Sequence, residues 1–155
     1  MPVACLALGT NLGDKNRNLE TALEKIAATV GTILAVSSVY ASEPWGYESE
    51  NSFFNQVIKV ETPLSPLELL KAVQAIETQM GRTRKDSAHY QDRIIDIDII
   101  LYDDLVYESE ELTIPHPLYR ERSFVWEPLN EIMISPPPAL LQSKGRRKKT
   151  RNAKF

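Results

Sequence analysis

Asp96 and Asp98 stand two residues apart in Ile95-Asp-Ile-Asp-Ile-Ile100, a run otherwise made of branched apolar residues. Such a run reads as a buried strand. On a strand, side chains at i and i+2 share a face, roughly 6–7 Å apart along the chain. Two carboxylates side by side in that setting demand either raised pKa values or a neutralising cation. Hard oxygen donors at this spacing suit magnesium, and two magnesium ions about 3.5–4 Å apart are a known clamp for phosphates. Asp-x-Asp alone also serves in strand-end capping and calcium ligation, so its neighbours must decide.

Those neighbours are basic. Arg82, Arg84, Lys85 and Arg93 place four cations directly upstream of the acid pair. Guanidinium forks grip phosphate oxygens in bidentate fashion, and lysine adds a mobile point charge. Two acids for metal and four bases for phosphate describe a nucleoside triphosphate site without a Walker loop. His116, confined between Pro115 and Pro117, is held in a set direction because proline fixes φ and biases its predecessor towards extended backbone. A directed hydrogen bond to phosphate suits it. Phe53, two residues from Asn55, and Phe124, two residues past Arg122, offer rings between which a flat heterocycle can lie while an amide reads its polar edge.

These groups need a scaffold. Pro2 to Leu8 is an apolar strand, and Leu19, Ala22, Leu23, Ile26, Ala27 and Val30 recur at helical spacing up to Gly31, a candidate C-terminal cap. Residues 32–40 read as one β-branched strand, and Phe53 to Glu61 as another with Phe53, Asn55 and Val57 on one face. Ser65-Pro66-Leu67-Glu68 announces a helix running to Gly81. Asp103-Asp104 reads as the turn of a small edge hairpin joining Leu101-Tyr102 to Leu105-Val106-Tyr107. The expected fold is therefore α+β, a ferredoxin-like βαββαβ core with an antiparallel sheet and helices packed on it.

The 155 residues suffice for one domain, and no apolar run approaches the ~20 residues of a membrane span. Met1-Pro2-Val3 opens into a strand pattern without a basic leader, which points to a cytoplasmic protein with no membrane partner. The single cysteine, Cys5, lies in the first strand and packs as a small hydrophobe. Charge is unevenly spread: seven of the 18 basic residues follow residue 143, while all 21 acids precede residue 132. Residues 1–134 make the candidate domain and 135–155 a Pro-rich, then basic, extension. The tail's only aromatic is Phe155, so it reads as a solvated terminus, with no nucleic acid expected.

The ordered motifs Gly9-Thr10-Asn11-Leu12-Gly13, Glu43-Pro44-Trp45-Gly46, Phe53-Phe54-Asn55, Gly81-Arg82-x-Arg84, Arg93-x-x-Asp96-x-Asp98 and Ile114-Pro115-His116-Pro117 resemble the 6-hydroxymethyl-7,8-dihydropterin pyrophosphokinases. The resemblance runs from the first strand to about residue 132. It implies transfer of diphosphate from ATP to the pterin alcohol in folate biosynthesis, with two Mg2+ ions on Asp96 and Asp98. Catalysis would fall to Arg82, Arg93, Asp96 and Asp98. ATP would be bound by Gln74, Glu77, Arg82, Arg84, Lys85, Arg93, His116 and Arg122. The pterin would be held by Ser42, Glu43, Pro44, Trp45, Phe53, Asn55 and Phe124, in a protein acting as a monomer. The chain departs from the family's habit at Tyr90-Gln91-Asp92, where an aromatic and a glycine-proline pair are usual, and in its ending after Ile134. On the residues alone, a two-metal phosphodiesterase or nuclease and a non-catalytic ferredoxin-like binding module stand as alternatives. The first lacks further acidic ligands, and the second leaves the acid pair and its four bases unexplained.

Overall fold

A computed structural model describes residues 1–43, 52–81 and 94–133. In chain order these form β1 (Val3–Thr10), α1 (Lys15–Thr29), β2 (Thr32–Val36), β3 (Tyr40–Ser42), β4 (Phe53–Glu61), α2 (Pro66–Gln79), β5 (Asp96–Tyr102), β6 (Tyr107–Glu108), β7 (Thr113–Ile114), a short 3-10 turn (Tyr119–Glu121) and α3 (Ser123–Met133). The main sheet runs β2-β4-β1-β5, with β3 pairing beside β2 on the same side of β4. All its pairs are antiparallel. Each helical crossover skips a strand, which is the ferredoxin-like split βαβ arrangement.

Local chemistry sets the helix ends. Asp14 accepts the Arg17 N–H at the start of α1. Ser65 and Glu68 close a reciprocal capping box on α2, with Pro66 in its first turn. Leu19, Ala22 and Ile26 of α1 and Leu69, Val73 and Ile76 of α2 are buried against Leu6, Leu8, Ile58, Val60, Ile97 and Ile99 of the sheet. Full burial of one such side chain contributes about 1.5–3 kcal/mol. The opposite face carries α3, whose Val125, Leu129 and Ile132 cover Cys5, Ala7, Val57 and Ile100. Burial pushes the Cys5 thiol up to about 11, against the pull of Lys59, so it packs as a neutral side chain.

Four features differ from the sequence reading. The strand expected over 32–40 is broken: Ser37 turns inward, its hydroxyl accepting the Val57 N–H, and separates β2 from β3. The hairpin lies elsewhere, between β6 and β7, because Asp103 bonds back to β1, its carboxylate accepting the Val3 N–H. Gly31 does close α1, its N–H donating to the Ile26 carbonyl (3.3 Å), but glycine is required there by close approach and not by a left-handed backbone, since a Cβ would lie 2.0 Å from the Glu61 carbonyl oxygen. Finally, α3 was not anticipated, for Pro128 interrupts its pattern.

Candidate functional site

The register of three strands assembles the site. Gly9 of β1 lies opposite Asn55 of β4 on one side and Asp96 of β5 on the other, and Ala7 lies opposite Val57 and Asp98. Residues directly opposite each other share a face, so Phe53, Asn55, Asp96 and Asp98 all emerge on the face that carries α3. Strand spacing puts the Asn55 and Asp96 backbones about 10 Å apart. Phe124, in the first turn of α3, packs against the same face, with the Arg122 guanidinium 5.9 Å from its ring centre.

On the β4 side Asn55 is buried and held. Its amide nitrogen donates to the Tyr40 carbonyl (3.0 Å) and to the Ser42 hydroxyl (2.8 Å). Its oxygen sits 3.4 Å from where a Cβ on Gly9 would be, and the Phe53 ring 3.5 Å from the same point. Gly9 therefore keeps open the space between ring and amide oxygen. Tyr40 in turn donates its hydroxyl to Glu131 of α3 at 2.7 Å. Glu43 is exposed. Glu127, one turn beyond Phe124, is buried with one oxygen lacking a hydrogen bond, and burial pushes its carboxyl up.

On the β5 side the two aspartates are half-buried and Ile97 between them turns into the core. Glu77 of α2, buried, accepts the Ile97 N–H at 2.7 Å, so it fixes the outer edge of the strand at the peptide between the two aspartates. Gln74 is exposed on α2. A bulge leaves Ile100 without a partner on β1, and its carbonyl accepts the His116 N–H at 3.0 Å. The His116 Nδ1 accepts the Leu118 N–H (3.2 Å), which leaves Nε2 as the proton-bearing nitrogen of the neutral ring. Burial, helped by Arg122 and opposed by Asp96, holds the His116 pKa down. A neutral ring with an outward Nε2–H can donate to a phosphate oxygen.

His116 and Asp98 also line a cavity of about 290 Å³, with Leu70, Ile99, Leu112 and Thr113 among its walls and the acids Glu110 and Glu111 beside them. Of its lining, the sequence reading had singled out only Asp98 and His116; Leu112 and Thr113 carry no local signal. Among the described residues no cluster of three or more acidic, histidine or cysteine side chains could hold a metal by itself. Two carboxylates fit magnesium in the way such ions are commonly bound, by one or two protein oxygens plus waters and substrate phosphates. Pro44, Trp45, Arg82, Arg84, Lys85 and Arg93, like Tyr90-Gln91-Asp92 and the tail from Ile134, lie outside the described residues.

The family model for 7,8-dihydro-6-hydroxymethylpterin-pyrophosphokinase (HPPK) matches residues 5–134. The 2-amino-4-hydroxy-6-hydroxymethyldihydropteridine pyrophosphokinase of Porphyromonas gingivalis is 43% identical over 136 residues, covering 85% of this chain and 91% of its own. The Bacillus subtilis protein of the same name is 41% identical over 133 residues, covering 84% and 77%. Among solved structures, an HPPK-DHPS complex with substrates superposes with a TM-score of 0.67 at 18% identity, covering 85% of this chain and 40% of that one. A Plasmodium falciparum HPPK-DHPS triple mutant gives 0.65 at 19% identity, covering 83% and 40%. At that identity the structural likeness establishes the fold.

Proposed function

The chain belongs to the 7,8-dihydro-6-hydroxymethylpterin-pyrophosphokinase family, and from that premise we infer how its face of the sheet divides the work between two substrates. The enzyme is an ATP-dependent diphosphokinase of folate biosynthesis, passing diphosphate from ATP to 6-hydroxymethyl-7,8-dihydropterin. The observation that supports the site assignment is the single row Asn55–Gly9–Asp96 across three strands, with the amide and the carboxylate about two strand spacings apart on one face.

The pterin lies over Gly9, between Phe53 and Phe124, with the Asn55 oxygen accepting from its N–H edge and Ser42, Glu43, Pro44 and Trp45 contributing to its binding. The nucleotide base enters the cavity lined by Leu70, Ile99, Leu112 and Thr113, whose size suits a base. Its phosphates run past His116 and Arg122 towards Asp96 and Asp98, with Gln74 and Glu77 on the α2 side. Arg82, Arg84, Lys85 and Arg93 supply the remaining countercharge. The pterin hydroxyl attacks the β-phosphorus in line. A new phosphorus–oxygen bond forms as the bond to the α-phosphate oxygen breaks, the electron pair leaves with AMP, and the hydroxyl proton is released without an assigned side-chain base. Asp96 and Asp98 would hold magnesium, as a two-ion site, which would supply neutralisation of phosphate charge. Positioning and charge are what the protein's own residues provide.

The end of the family match at residue 134 supports a catalytic unit of 1–134 with 135–155 outside it. We further assign a monomer working in the cytoplasm on two small substrates, without nucleic acid. Among the described residues no helix is long and apolar enough to cross a membrane. The test is turnover with ATP, magnesium and the pterin alcohol, followed by chromatography against a no-pterin control. AMP and pterin diphosphate appearing one for one are expected. ATP consumed to ADP, or no magnesium-dependent reaction by folded protein, would overturn the reading.

A further inference from the structure

Glu131 lies on α3, two turns beyond Phe124 and away from every group assigned to the reaction, yet it is 5% exposed and accepts three hydrogen bonds. Its Oε2 takes the Ser38 N–H (3.1 Å) and the Ser38 hydroxyl (3.0 Å), and its Oε1 takes the Tyr40 hydroxyl (2.7 Å). Three donors converging on one buried carboxyl make a directional anchor between α3 and the start of β3. The anchor matters because β3 has only three residues, pairs among the described residues only with β4, and follows the break at Ser37. A strand that short has few ladder bonds with which to fix its own position.

What β3 positions is Asn55. The Tyr40 carbonyl can only accept, so the Asn55 nitrogen must face it, and the Ser42 hydroxyl takes the other amide proton. Both N–H groups are thereby consumed within the protein, leaving the oxygen to meet the ligand beside Gly9. Were β3 to shift, the amide would be free to turn and present a donor where the ligand also presents one. Turning would exchange an attraction for a clash of two donors.

We propose that Glu131 is a positioning residue for pterin recognition, acting through Tyr40 and β3 to lock the Asn55 amide with its oxygen towards the substrate. This builds on the assignment of Asn55 to the pterin made above. In Glu131→Leu all three accepted hydrogen bonds are lost at similar side-chain size, and Tyr40→Phe deletes one of the same bonds at nearly constant volume. Each variant raises the pterin dissociation constant about tenfold, one lost hydrogen bond's worth, and leaves ATP binding within about twofold. The double variant is no worse than the more affected single one, because both break one chain of contacts. Equal weakening for pterin and ATP, or additive losses, would show a structural role only and overturn the proposal.

A second measurement does not depend on the reaction. Side-chain amide protons of Asn55, followed by 15N NMR in the ligand-free protein, exchange slowly in the wild type and faster in both variants. Unchanged exchange in Tyr40→Phe would overturn the relay even if turnover fell. Faster exchange in both variants of a protein whose wild type fails the turnover test would sustain the relay and reject the pterin reading.

Discussion

The two halves of the site are built on opposite principles. Around Asn55, on the interior strand β4, a chain of hydrogen bonds fixes the amide: Glu131 holds Tyr40, and Tyr40 and Ser42 hold Asn55. Around Asp96 and Asp98, on the edge strand β5, the carboxylates are half-buried beside a cavity, and Glu77 secures the backbone between them. Under the proposed assignment the first half is preorganised to recognise a rigid heterocycle. The second stands half-exposed, where metal and phosphate would bring the charges that complete it under the proposed assignment.

The sharpest break of this comparison is Asp98→Ala. Losing a carboxylate proposed to hold metal would remove several kcal/mol of transition-state stabilisation, a fall in kcat on the order of a thousandfold, while pterin affinity and thermal midpoint stay near wild type. Near-normal turnover would remove Asp98 from the metal site. Phe124→Ala acts on the other half: it weakens pterin binding about tenfold through lost ring contact and affects ATP less, as paired titrations with each substrate can check. Gly9→Ala sits where the halves meet. The added methyl would fill the space beside the Asn55 oxygen and the Phe53 ring, so pterin affinity falls several-fold while stability holds or rises by about 0.5 kcal/mol, as expected for glycine to alanine in a strand.

The smallest effect is a pair of pH slopes with opposite signs. The Glu127 carboxyl is raised from 4.5 by burial, so above that pH the unfolded chain loses the proton first and stability falls as pH rises towards the folded pKa. The His116 pKa is lowered from 6.5, by burial first and then by Arg122. Below 6.5 the unfolded chain gains the proton first, and stability falls as pH drops towards the folded pKa. Denaturant melts between pH 4.5 and 7 should show Glu127→Gln flattening the first slope and His116→Gln the second. A single variant that flattens both would contradict the separation.

Sequence pattern disclosed what is local. The capping box at Ser65 and Glu68, the alternation in β4 and the Asp96-x-Asp98 pair could be read because each is written within a few residues. The split of the expected strand at Ser37 could not, since it depends on a bond to Val57 twenty residues away. The hairpin was misplaced because Asp103 spends its side chain on β1, a contact one hundred residues distant. Pro128 hid α3, whose apolar stripe of Val125, Leu129 and Ile132 makes sense only against the sheet. The same limit applies to function: Asn55 could be singled out, whereas the Glu131 that fixes it meets β3 only after folding.

The most direct test of a divided site is calorimetric titration of Asn55→Ala and Asp98→Ala, each with the pterin alone and with magnesium and ATP. The account predicts a crossed result: Asn55→Ala loses pterin affinity and keeps magnesium-dependent nucleotide binding, and Asp98→Ala does the reverse. Loss of both ligands by both variants would contradict it.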